Sequence, residues 1–213
     1  MTDTYDICRA KGSVSARWVS GGSSFGRFEA DNMMSYASAS VLAAAYGGDD
    51  TKIPKYVGFL YGSGDPAGLP DITRDMSWQS VMDMAAAVNG NVQVVNFNRK
   101  PTMYTINPPE GSNDLDDGPN PGPYKDNVVE FHAVTRTGLD GQYGNDTSGS
   151  SDFAGPLASG MTIFRAILLG DGVPCDDDNR YTVLAMVSMA KNGVYRQKPD
   201  NYELAVDWRV TFR

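Results

Sequence analysis

His132 is the only imidazole in the chain, so any acid–base work done by histidine must run through it. It falls inside an alternating stretch, residues 127–137, and no Gly-x-Ser-x-Gly elbow accompanies it. The pattern therefore predicts a strand-face histidine rather than the base of a hydrolytic triad. Carboxylates come next. Asp114, Asp116 and Asp117 form one run and Asp176, Asp177 and Asp178 another. Calcium takes about six to eight oxygen ligands, but Gly118 comes too soon after Asp114 for an Asp-x-Asp-x-Asp-Gly loop, so solvated turns are expected. Paired carboxylates also serve glycosidases, where their separation decides the chemistry; the spacing along this chain fixes no such separation. Residues 62–68, Gly-Ser-Gly-Asp-Pro-Ala-Gly, look like a phosphate loop but lack the Gly-Lys-Ser/Thr ending, and the next basic residue is Arg74. They read as a turn. Asn145-Asp146-Thr147 fits a glycosylation sequon, which has meaning only in a secreted chain.

One histidine and two cysteines cannot assemble a His- or Cys-rich metal centre or a disulfide framework. Cys8 and Cys175 are read as free thiols, with a bridge between them as the alternative. The sequence thus assigns no catalytic residue, no cofactor and no metal. Acidic residues outnumber basic ones by 26 to 18, a net charge of −8, and phosphate backbones need a positive footprint. Nucleic acid is therefore not an expected partner. No apolar stretch reaches the ~20 residues of a membrane helix, and residues 1–9 carry no basic-then-apolar leader. The expectation is a protein made in a cytoplasm and not secreted, with no membrane partner.

The elements that would position any site are turn-rich and mostly extended. With 213 residues the chain can bury one sizeable core. Residues 1–30 read as an extended N-terminal arm with one strand at 15–20, and residues 31–213 as a single β-sandwich domain. A helix is expected from Asp31, as its cap, to Tyr46, with Met34, Ala37, Val41, Leu42 and Ala45 as its apolar stripe. A second should begin near Ser77, with Trp78, Val81, Met82, Ala85 and Val88 on one face. Strands are expected at 55–61, 91–98, 103–106, 127–137, 161–169 and 181–190. A final strand, from Tyr202, alternates apolar and polar residues to the end of the sequence, the mark of a half-buried antiparallel strand. Residues 107–126 and 138–160 read as long loops. Strands clustered after helices favour an α+β fold, mainly an antiparallel β-sandwich with one or two short helices.

Two stretches carry a resemblance. Residues 32–48, rich in Ala and Ser, precede Lys52-Ile53-Pro54-Lys55-Tyr56-Val57-Gly58-Phe59 and a Gly/Asp/Pro turn. Later come Phe164-Arg165-Ala166-Ile167-Leu168-Leu169-Gly170-Asp171-Gly172, then Val183-Leu184-Ala185-Met186, then Lys198-Pro199, then Leu204-Ala205-Val206-Asp207-Trp208-Arg209-Val210-Thr211-Phe212. In this order they resemble the N-terminal modules of tailed-bacteriophage tail-fibre and tail-collar proteins. The resemblance implies a small β-sandwich of the virion, in the tail, collar or baseplate, with fibre anchoring as one role. Such a module assembles as a homo-oligomer, a trimer or ring, or on other virion proteins, and uses no catalytic residue. A capsid decoration or head-fibre protein is the nearest alternative. From another class, a carbohydrate-binding or glycan-cleaving sandwich would use the two long loops with Tyr104, Tyr124 and Tyr143 as stacking surfaces.

For assembly, Trp18, Phe25 and Phe28 of the arm, with Met33 and Met34 after it, form the candidate subunit interface. Large aromatic side chains are frequent anchors of such contacts, and the thioether suits irregular apolar surfaces. The alternative is that the arm folds back as an edge strand.

Overall fold

The computed structural model describes residues 10–48, 53–97, 102–104, 128–135, 159–172 and 180–212. Its strands, in chain order, are β1 (Ala10–Ser20), β2 (Ser23–Asp31), β3 (Met33–Met34), β4 (Pro54–Gly62), β5 (Gly90–Asn96), β6 (Thr102–Tyr104), β7 (Val128–Val134), β8 (Thr162–Asp171), β9 (Tyr181–Ser188), β10 (Arg196–Gln197) and β11 (Glu203–Phe212). Two helices, α1 (Ala37–Tyr46) and α2 (Trp78–Ala87), complete an α+β, mainly antiparallel fold. One sheet runs β2-β1-β11-β7-β6 and the other β3-β9-β8-β4-β5, with β10 pairing β8.

Residues 10–31 are not an extended arm. They form a hairpin, and β1 lies inside the first sheet with β11 on its other side, from Ala10 opposite Phe212 to Val19 opposite Glu203. The fold-back alternative is the one observed, and β2 is the edge strand. The cause is a short period-two pattern: Val14, Ala16 and Trp18 enter the core, while Ser13, Ser15 and Arg17 take the other face. Residues 1–9 lie outside the described set.

Asp31 does not cap a helix either. It ends β2 opposite Ser13 and pairs with Lys11 at 3.3 Å. Met33 and Met34 then pair with Met186 and Ala185 of β9. Ser35 holds the chain to β9 further on, its N–H and hydroxyl donating to the Leu184 and Val183 carbonyls. Helix begins only at Ala37, because strand pairing overrides the local preference of the Ala/Ser run. In α2, by contrast, local chemistry decides: Ser77 accepts from the Ser80 N–H in a reciprocal capping box. Met84, not Met82, joins Trp78, Val81, Ala85 and Val88 in the core.

The two sheets enclose the main core. Val14, Trp18, Val206 and Trp208 of the first pack with Val57, Phe59, Leu168 and Leu184 of the second. The far face of the second sheet is covered as well, by α2: Leu60, Val92, Val94, Ile167 and Leu169 cluster with Trp78, Val81 and Met84. Burial on both faces explains why β8 is buried continuously from Ile163 to Gly170 and reads as an apolar run. Arg165 interrupts that run. Its guanidinium donates to Ser188 Oγ at 2.8 Å and to Tyr195 Oη and the Pro70 carbonyl at 3.3 Å, tying two connecting segments to the sheet.

Candidate functional site

With the second sheet covered on both sides, the outer face of the first carries the polar side chains that strands place in fixed register. One cross-strand row reads Glu29, Ser15, Asp207, His132; the next reads Asp31, Ser13, Arg209, Glu130. Along the first row His132 Nδ1 lies 2.5 Å from Asp207 Oδ1. Arg17, two residues beyond Ser15 on β1, donates from Nη1 to Asp207 Oδ2 at 2.6 Å. In the second row Arg209 Nε donates to Glu130 Oε2 at 2.7 Å. β11 is more than half-buried as a result: besides Leu204, Val206, Trp208 and Val210, its outer residues Glu203, Ala205 and Asp207 are also buried.

Burial alone would raise the Asp207 pKa. The hydrogen bonds from His132 and Arg17, with their charges, outweigh it and bring the carboxyl down to about 2. An ionised carboxylate only accepts, so Nδ1 of His132 carries the proton. The row has the order serine, aspartate, imidazole, with Asp207 between Ser15 and His132. An acyl-transfer triad requires the imidazole in the middle, so this row is not arranged for it.

Two shallow grooves flank the rows. One, of about 390 Å³, is lined by Ser15, Arg17, Ser24, Phe25, Arg27 and Arg209 among others. Its neighbour, of about 350 Å³, is lined by Ser13, Ser15, Glu29, Asp31 and Arg209 among others. Together they present cations and carboxylates beside one exposed aromatic ring, chemistry suited to contact with another polar surface. Among the described residues, no group of three or more His, Cys, Asp or Glu side chains could hold a metal ion.

The five expected interface residues separate. Trp18 and Phe28 are core residues, 5% and 4% exposed. Arg196 lies over the Phe28 ring at 4.2 Å and donates to the Gly26 carbonyl, and burial pushes its pKa down. Phe25 remains accessible at 48% and packs edge-on against Tyr202. Met33 is exposed, and Met34 is half-buried against the main core. The structure thus leaves Phe25 and Met33 accessible and withdraws Trp18 and Phe28.

Both acidic runs, Cys8, Cys175, Tyr124, Tyr143 and almost all of the loops 107–126 and 138–160 lie outside the described residues. Tyr104 is on β6, its side chain likewise outside them. The Gly-rich segment is a turn, as expected, with Asp65 accepting from the Ala67 N–H at the start of a short 3-10 helix. Sequence reasoning missed the partners of His132. A signal was present: Glu130 and His132 sit two apart on one strand, as do Asp207 and Arg209 on another, which antiparallel pairing turns into facing charged pairs.

Comparison with protein-family models, with curated proteins and with solved structures finds no match to this chain.

Proposed function

We propose that this protein is a structural component of a tailed-bacteriophage virion, in the tail, collar or baseplate, and that it works by oligomeric assembly. The observation that carries the assembly reading is β2: a nine-residue strand at the end of its sheet, exposed along almost all its length, with Phe25 and Met33 accessible. Edge strands of this length invite pairing with another chain. The phage assignment rests on the resemblance, whose segments here form β3, α1, β4, β8, β9 and β11; β3, β9, β8 and β4 are successive strands of one sheet.

Light scattering on the purified chain and mass spectrometry of purified particles test the two halves separately. The expected results are a defined oligomer and a fixed copy number per particle. A strict monomer at every concentration would overturn assembly, and absence from the particles would overturn the virion assignment.

A further inference from the structure

The charges along β2 have a symmetry that selects one pairing. Arg27 and Glu29 stand two residues apart on the outer face, with side chains 70% and 60% exposed, and Phe28 between them packs into the core. Among the described residues no strand pairs with the outer edge of β2, so, apart from the Gly26 carbonyl that accepts from Arg196, its outward backbone N–H and C=O groups face no other described strand. A two-fold axis perpendicular to the sheet keeps the outer faces of two copies on the same side. It must then set one residue of β2 directly opposite its own copy, and that residue is the centre of the pairing.

The available centres differ electrostatically. A centre at Arg27 or Glu29 sets that charge against itself. At Ala30, Glu29 faces Asp31. At Gly26, the pairing falls on a kink with φ +68° and leaves Arg27 opposite Phe25. Only a centre at Phe28 sets Arg27 opposite Glu29 of the second copy and, by symmetry, Glu29 opposite the second Arg27. Arg27 already donates to Glu29 of its own strand at 2.5 Å. The charges then alternate in sign around the axis.

We propose that two copies of this chain pair antiparallel through β2, with the two-fold axis at Phe28, joining their first sheets into one. The inference rests on the assembly reading and gives it a seam, a register and a partner. Charged edge residues also serve to keep an edge solitary, and the test separates these roles.

Sedimentation of the full chain at low salt compares wild type, Arg27→Glu, Glu29→Arg, the double variant and an equimolar mixture of the two single variants. Circular dichroism checks that each retains the fold, which the exposure of both side chains favours. Each single reversal creates like-charged facing pairs on both sides of the axis and should weaken dimerisation about tenfold or more. The double variant should dimerise as wild type does. The mixture should form heterodimers, because the acidic pair of one variant then faces the basic pair of the other. An oligomer indifferent to every variant, or a mixture without heterodimers, overturns the β2 seam and leaves the assembly reading standing. A wild-type monomer at every concentration overturns both.

Discussion

His132 and Arg17 grip one carboxylate from strands on either side of it: Nδ1 lies 2.5 Å from Oδ1 of Asp207, and Nη1 lies 2.6 Å from Oδ2. Asp207 thereby joins β1, β11 and β7 on the face turned away from the core. Hydrogen bonds to charged groups contribute about 1.5–3 kcal/mol each. Asp207→Ala should lower the unfolding free energy by about 2–3 kcal/mol in a urea titration, and Asp207→Asn, which keeps one acceptor oxygen, by less.

The same carboxylate sets a pH dependence. Its pKa falls from an ordinary 3.8 to about 2 on folding, so the unfolded chain binds this proton more readily. Its stabilisation is complete above the unfolded value and is lost as pH falls through the folded one. The stability gap between wild type and Asp207→Asn should be full at about pH 5 and shrink toward about pH 2, as measured by denaturant titration across that range.

Lys198 and Glu203 form the most enclosed ion pair among the described residues, 3.1 Å apart, with Thr135 Oγ1 donating to the second carboxylate oxygen at 2.5 Å. Removing one member of a buried pair strands the other charge and costs about 3–5 kcal/mol. Lys198→Met should show that loss in thermal or urea unfolding. Adding Glu203→Gln should recover a large part of it, since the stranded charge is gone.

Gly90 opens β5 directly beside β4. A Cβ there would lie 1.8 Å from the Tyr61 carbonyl oxygen, a backbone atom that cannot rotate away. Gly90→Ala should destabilise by about 2–3 kcal/mol. At an open turn position such as Gly21, a Cβ meets nothing but the φ is +52°, and the same change should cost only about 1 kcal/mol. Paired melting curves check the order.

Trp18 and Phe25 are neighbours across the β1–β2 hairpin with different fates. Trp18→Ala should cost about 3–5 kcal/mol, as for any large aromatic removed from a core. Phe25→Ala, at a half-exposed ring, should change the unfolding free energy of the isolated chain by about 1 kcal/mol or less. Urea titration of the two variants side by side checks the contrast.

How legible these features were depended on how local their causes are. Ser77 before Trp78 announced α2 because a capping box needs only neighbouring residues. β7, β8, β9 and β11 were visible in their apolar patterns. The hairpin of β1 and β2 was not, because Gly12, Val14 and Ala16 are weak markers of a buried face and acquire that role only beside β11. Asp31 carried a sound capping signal that a cross-strand partner overrode. The Asp207 cluster was hidden for the same reason: Arg17, His132 and Asp207 come from separate parts of the sequence and meet only through register.

Arg17 and Asp207 are 190 residues apart, and β1 finds its central partner only in β11. During synthesis β1 therefore lacks its central partner until β11 has emerged. The α2 segment and the pairing of β4 with β5 involve nearby residues and can assemble long before. The nascent protein thus completes its earliest strands late, and a product stalled before β11 presents an unmatched apolar ribbon to chaperones and proteases.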